Sequence, residues 1–367
     1  MKAIVYHNHG SPGVLRYEDI EKPTVGDSQV LIKVRAASVN PLEAGEVKGV
    51  PLLARIIFGL RKPENGHPGR PGVDLAGEVE AVGKNVTQFR PGDEVFGVCI
   101  NDPLASGAKV WVHDQGAFAE YACAPESTLA IRPENVTFEQ AAAAGVAALT
   151  ALQGLRDHGH IQAGHKVLVN GAAGGVGTFA VQIAKAFGAE VTAVCSTSNV
   201  NMVRSIGADH IVDYTQQDFT RLGQQYDLVL DCISNHSLSE YRQVLSAKGR
   251  LVMAGDRTGR GMLGIVGRLV GGLILSSLTS QTFLTFLAKP KKDDLGVIRD
   301  LMKDGKVKPA IDKRYSLSQV PEAISISGAK TCSRKGSHHC GIALRISHLR
   351  LGSSDPRLAP YFRPASG

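Results

Sequence analysis

The sequence contains no apolar run of about 20 residues, the length a membrane-spanning helix requires. The nearest stretch, 261–288, is broken by Arg268 and by several Gly and Ser. It reads as a buried or interfacial helix, over a cleft or at a homodimer contact, not as a membrane span. Six cysteines lack paired short spacings. That excludes a disulfide framework and points to a reducing, cytoplasmic setting. The opening residues, Met1 to Tyr6, already read as a strand, which argues against a targeting peptide there. Charge of one sign is scarce outside the C-terminus. The formal net charge is +7, but residues 325–367 hold seven Lys/Arg against one acid, Asp355. The remaining 324 residues are nearly neutral. No aromatic side chain interleaves with the basic residues before Tyr361-Phe362, so nucleic acid is not the implied partner.

What is present is organised around residues 167–197. Val167-Leu168-Val169-Asn170 is an apolar run of strand length. The turn Gly171-Ala172-Ala173-Gly174-Gly175-Val176-Gly177 follows directly, then a helical pattern from Thr178 to Phe187. Val191 to Cys195 reads as a second strand. Strand, glycine turn, helix and strand over this length form the context of a dinucleotide fingerprint, here in an AxGxxG variant. Gly174 permits close approach of a pyrophosphate, and Gly177 permits close packing of helix on strand. The helix N-terminus offers free N–H groups to the phosphates. Ala173, Gly174, Gly175, Val176 and Gly177 are therefore candidate cofactor residues.

The end of the second strand bears on the choice of cofactor. An NAD site wants an acid there for the ribose 2′-OH. The sequence has Cys195-Ser196-Thr197-Ser198-Asn199, without a carboxylate. Ser196 and Thr197 leave space for a 2′-phosphate and can donate hydrogen bonds to it, and Arg204 adds charge. NADPH is the expected cofactor.

Residues 1–124 read as short strands separated by Gly/Pro turns, a barrel-like pattern. Thr137-Phe138-Glu139-Gln140 is a capping box, opening an Ala-rich stretch read as helical to Leu155. Strands and helices then alternate, which indicates a parallel, doubly wound sheet. The fold class is α/β.

Several stretches together resemble the medium-chain dehydrogenase/reductase superfamily in its zinc-independent quinone oxidoreductase branch. They are Ala37-Ser38-Val39-Asn40-Pro41, Pro71 to Gly77, Gly92 to Gly97, Leu149-Thr150-Ala151-Leu152, Ala172 to Gly177 and Ser205 to Asp209. The resemblance runs from Met1 to about Ile324. It implies a GroES-like β-rich catalytic domain (1–124 and 290–324), a Rossmann NADPH-binding domain (125–289) and a cleft between them. It also implies that Asn40 and Thr150 face the nicotinamide or substrate, and that Tyr214 lies beside the adenine. Alcohol dehydrogenases of the superfamily hold catalytic zinc with a Cys near the Asn40 region and a Gly-His-Glu motif. The matching positions here are Ser38-Val39-Asn40 and Gly72-Val73-Asp74, and a catalytic zinc needs three protein ligands. The cysteines of a structural zinc lobe are reduced to one between Cys99 and Trp111.

The implied activity is NADPH-dependent hydride transfer to a quinone or an α,β-unsaturated carbonyl, small acceptors that need no Lewis acid. The alternatives are a catalytically weak NADPH-binding protein of structural or regulatory role, and an enoyl-thioester reductase. No side-chain proton donor is identified; solvent fills that role.

Beyond Ile324 the resemblance stops. The codons of Arg334 to Cys340 can be written so that a one-nucleotide shift reads Gly-Lys-Val-Val-Ile, the ending the family implies. Residues 325–367 therefore read as an out-of-frame, poorly ordered tail that removes a strand from the catalytic domain, and with it puts the activity of this chain in question. Cys332, His338, His339 and Cys340 do not have the spacing of a metal finger.

Overall fold

A computed structural model describes residues 1–49, 68–100, 116–255, 261–328 and 341–345. The described residues build two large sheets and one small one; one buried apolar cluster takes residues from both large sheets, and each large sheet has a further cluster of its own. β1 (Lys2–Val5) and β2 (Arg16–Asp19) form a small antiparallel pair. The first large sheet is built on β3 (Gln29–Val39), an 11-residue strand with Val30, Ile32 and Val34 facing inward, followed by helix α1 (Pro41–Lys48). β4 (Asp74–Val82), β5 (Glu94–Val98), β6 (Tyr121–Pro125) and β7 (Leu129–Ile131) complete its first half. β4 and β6 both pair antiparallel with β3, and β7 pairs with β5.

The Ala-rich stretch is not one helix. The Thr137 hydroxyl accepts from Gln140 N, opening α2 (Phe138–Ala143), and the chain breaks at Gly145 before α3 (Val146–Gln153). A π-turn over Gly154–His158 follows. α2 packs on β3 and β4, whereas α3 packs on the helix after the glycine turn. The chain therefore leaves the first sheet at Gly145, and β7, which follows residue 125, still pairs in that sheet.

The second sheet is parallel, in the order β10-β9-β8-β11-β12-β13. Its parts in chain order are β8 (Lys166–Asn170), α4 (Gly175–Ala186), β9 (Glu190–Cys195), α5 (Val200–Ser205), β10 (His210–Asp213), β11 (Tyr226–Asp231), α6 (Leu238–Val244) and β12 (Leu245–Met253). α7 (Gly261–Leu278) and β13 (Thr282–Thr285) close it. Its central strands β8, β9 and β11 carry apolar runs, as strands covered on both faces do. The order reverses between β8 and β11, where Asn170 and Asp231 lie in register. Ligands bind at such a switch point, outside the carboxyl ends of the strands.

Of the two readings of the stretch 261–288, buried or interfacial, the buried one does not hold: Val270, Leu273 and Leu278 are 50%, 70% and 75% exposed. Arg268 points inward and donates to the His236 carbonyl at 2.8 Å, which pins α7 to the loop after β11. No described helix is long and apolar enough to cross a membrane.

The chain returns through α8 (Lys292–Lys303), β14 (Ile311–Ser316) and α9 (Val320–Gly328). Gln182 and Lys308 exchange two hydrogen bonds, tying α4 to the segment entering β14. The expected missing strand is not missing. β15 (Gly341–Arg345) lies between β14 and β3, parallel to the first and antiparallel to the second. A ladder is made by backbone groups that every non-proline residue carries, so this segment can fill the position whatever its reading frame. Cys332, His338, His339 and Cys340 lie outside the described residues.

Candidate active site

The glycine turn sits at the carboxyl end of β8. Gly171 adopts φ +87°, a left-handed conformation that favours glycine. A Cβ on Gly177 would collide with the Gly171 carbonyl and the Ala172 backbone, so α4 could not lie this close to β8. At Gly174 an added Cβ would meet only the Gly171 carbonyl, at 3.4 Å, and at Gly175 only Ala147 Cβ, at 3.9 Å. The turn is thus packed beneath and open above. α4 begins at Gly175, three residues before the expected start, with Gly174 as its N-cap. The first N–H groups of the helix border that open space, a cradle that fits a pyrophosphate. Ala173 is buried in the turn.

The other candidate cofactor residues follow the adjacent strands. Ser196 is buried after β9, its Oγ 3.1 Å from Ser198 Oγ and accepting from Asn199 Nδ2 at 2.9 Å. Thr197 Oγ1 donates to Asp213 Oδ2 at 2.5 Å. Tyr214 follows β10, and its N–H donates to the Cys195 carbonyl at 3.0 Å. Arg204 stands exposed in the last turn of α5, outside this hydrogen-bonded group, with no ion pair among the described residues. Asp213 was not legible in the β9 sequence because it arrives from the neighbouring strand. Burial raises its pKa, but hydrogen bonds from Thr197, Thr215 and Gln216 outweigh that and hold the carboxyl below its ordinary range.

Asn40 and Thr150 lie 110 residues apart in sequence; the fold places Asn40 in a polar cluster that reaches the N-terminus of the helix carrying Thr150. The centre of the cluster is Asp74, the fully buried first residue of β4. Asp74 Oδ2 accepts from Ser38 Oγ at 2.7 Å and from Asn40 Nδ2 at 3.0 Å. Oδ1 accepts from the N–H of Val146, the first residue of α3, at 2.9 Å. Thr150 lies one turn further along α3 and donates to the Val146 carbonyl at 2.7 Å. Ala147, on the same helix, neighbours Gly175 of the cradle. The cluster is therefore continuous with the phosphate turn.

A second buried carboxylate holds the backbone of the same loop. Glu43 accepts from Asn40 N at 2.7 Å and from Val73 N at 3.2 Å. Burial pushes its pKa up to about 8, with the Asp74 charge adding to it. Burial likewise pushes Asp74 up to about 6, against the pull of its three donors. Cys99 donates to the carbonyls of Gly72 and Val73, and burial raises its thiol far above the ordinary range. At the positions matching zinc ligands the chain has a hydroxyl, Ser38, and an aliphatic side chain, Val73. No metal-binding cluster is found among the described residues.

The family model for the alcohol dehydrogenase GroES-like domain matches residues 26–134, and that for zinc-binding dehydrogenase matches 206–330. A chloroplastic quinone-oxidoreductase, QR1, of Triphysaria versicolor is 31% identical over 337 residues, 88% of this chain and 93% of the relative. A chloroplastic NADPH-dependent alkenal/one oxidoreductase of Arabidopsis thaliana is 32% identical over 330 residues, 89% and 76% of the two chains. The solved quinone oxidoreductase from Coxiella burnetii superposes with a TM-score of 0.76 at 25% identity, covering 95% of this chain and 99% of that one. The chain belongs to the medium-chain dehydrogenase/reductase superfamily, in its quinone oxidoreductase branch, and is an oxidoreductase.

Proposed function

We propose that the protein is an NADPH-dependent, zinc-independent reductase of quinones or α,β-unsaturated carbonyls. The observation that carries this reading is the half-buried Asn40 amide. Asp74 fixes it beside the helix that borders the glycine cradle.

When bound, NADPH would supply a hydride, a proton with two electrons, to the acceptor. Ala173 to Gly177 would hold the pyrophosphate, Ser196, Thr197 and Arg204 the 2′-phosphate end, and Tyr214 the adenine side. The free N–H of Asn40 hydrogen-bonds the acceptor oxygen as it gains charge. Thr150 borders the same space, and water supplies the proton that completes reduction. A conjugated acceptor suits this arrangement because it spreads the incoming charge without a Lewis acid. The printed names of the relatives support that class: quinone oxidoreductases, an alkenal/one oxidoreductase and a 2-methylene-furan-3-one reductase. The described cysteines are free thiols, in keeping with a reducing, cytoplasmic setting. The exposed apolar face of α7 suits a homodimer contact.

Steady-state oxidation of NADPH against a panel of quinones, enones and enoyl thioesters tests the reading. Turnover with quinones or enones supports it. Turnover confined to thioesters makes the protein an enoyl-thioester reductase, and tight NADPH binding without turnover makes it a binding protein.

One observation favours a second cofactor reading. Asp213 carries a carboxylate to Thr197, and an acid at this end of the site is what a ribose 2′-OH prefers. NADH is therefore measured beside NADPH in the same assay.

A further inference from the structure

We propose that Asp74 is the positioning residue of the site: it sets the orientation of the Asn40 amide and locks it to the helix that carries Thr150. This rests on the reading above of Asn40 as the group facing the acceptor, and it assigns a role to a side chain outside that reading.

The geometry is specific. One carboxylate receives three donors from three places in the chain: Ser38 Oγ, Asn40 Nδ2 and Val146 N. Two of these belong to the end of β3 and the loop after it, and the third to the N-terminus of α3, beyond the break at Gly145. The partial positive charge of that helix end favours the ionised carboxylate. An ionised carboxylate only accepts hydrogen bonds. It must therefore face the Nδ2 end of Asn40, which turns Oδ1 and the second N–H of the amide away from it. Asn40 is also the N-cap of α1, where its side-chain oxygen faces the N3 backbone in a capping box with Glu43; it is only half-buried, so the second N–H is the group offered to a ligand. The opposite amide rotamer would set an oxygen against the carboxylate.

The surroundings confine Asp74. A Cβ on Gly145 would collide with its Oδ1, so the glycine between α2 and α3 is the space the carboxylate occupies. Glu43 fixes the Asn40 backbone N–H and the N–H of Val73, the residue before Asp74. Amide and carboxylate are thus held from both backbone and side chain. Among the described residues, the titratable groups beside Asp74 are Glu43 from α1 and Cys99 beyond β5; α3 contributes none at its first turn.

Asp74→Asn, Asn40→Ala and the double variant of the full chain test the assignment. With Asp74→Asn the new amide can pair with the Asn40 oxygen, and the Asn40 amide turns over. The expected result is an unchanged Kd for NADPH and a kcat lower by on the order of 10²-fold, as for a misplaced reacting group. The double variant is no slower than Asn40→Ala alone, because Asp74 acts through Asn40. Additive losses, or wild-type kcat in Asp74→Asn, overturn the proposal.

A second measurement needs no turnover and no variant of Asp74. The side-chain amide signals of Asn40 in 15N-labelled protein, assigned by their loss in Asn40→Ala, shift as Asp74 titrates near its pKa of about 6. Signals that stay fixed across the whole pH range in which the protein remains folded contradict the contact. If wild type reduces no acceptor while these signals still titrate, the functional reading fails and the positioning role stands.

Discussion

Thr197 donates its hydroxyl proton to Asp213 across 2.5 Å, joining the end of β9 to the end of β10. Thr215 Oγ1 adds a second donor to the same carboxylate at 2.7 Å. The adenosine end of the cradle therefore carries a fixed negative charge beside the hydroxyls assigned to a 2′-phosphate. Replacing Asp213 with Asn removes the repulsion and keeps the shape. NADPH is predicted to bind roughly tenfold tighter, as for one unit charge at partly screened range, while NADH gains nothing. Fluorescence titration of both cofactors against Asp213→Asn gives the ratio. An unchanged ratio means that the 2′-position lies elsewhere.

Gly174 and Gly177 are predicted to fail in different ways. A Cβ at Gly177 strikes backbone atoms of the turn itself, so Gly177→Ala should cost about 1–3 kcal/mol by overpacking. A Cβ at Gly174 meets almost no protein, so Gly174→Ala should leave the melting temperature near wild type. It should instead weaken dinucleotide binding, because the methyl group enters the space given to phosphate. Differential scanning fluorimetry with and without NADPH separates the two. Equal behaviour of both variants would contradict the division of labour.

Stability should fall as pH rises across the neutral range. Asp74 and Glu43 have folded-state pKa values pushed up to about 6 and about 8, chiefly by burial. A carboxyl raised on folding binds its proton more tightly in the folded state. Its stabilising contribution is complete below the unfolded value, near 4, and is lost as pH rises through the folded value. The predicted decline thus runs between about pH 4 and 8; carboxylates held low, such as Asp209, contribute stability that is complete above about pH 4 and is lost only below it. Urea unfolding of Glu43→Gln at pH 5.5 and 8 checks this. The variant should show a flatter pH dependence than wild type, and an equal slope would count against the Glu43 contribution.

Much of this was readable before any fold was known, because some requirements are local. A tight turn under a helix demands glycine at particular places, so Gly171 to Gly177 announced the cradle. Strand runs with both faces covered are continuous apolar segments, so β8, β9 and β11 were visible. Asp74 was not visible as an organiser: its partners Ser38, Asn40 and Val146 lie 36, 34 and 72 residues away. The break at Gly145 was hidden in an alanine-rich stretch that favours helix throughout. Its cause is a carboxylate delivered from another strand. Asp213 escaped for a similar reason, since parallel strands bring residues together without any mark in either segment. The strand at 341–345 ran against expectation because pairing asks for backbone and extension more than for side-chain identity.

The most direct test of the central claim is single-turnover oxidation of bound NADPH by a quinone and by an enone, followed in nicotinamide absorbance, with and without EDTA. The predicted result is stoichiometric oxidation at one rate in both buffers, slowed in Asn40→Ala while NADPH affinity holds. A rate abolished by EDTA and restored by zinc would contradict a metal-free hydride transfer organised by Asn40, and NADPH that stays reduced with every acceptor would contradict the reductase itself.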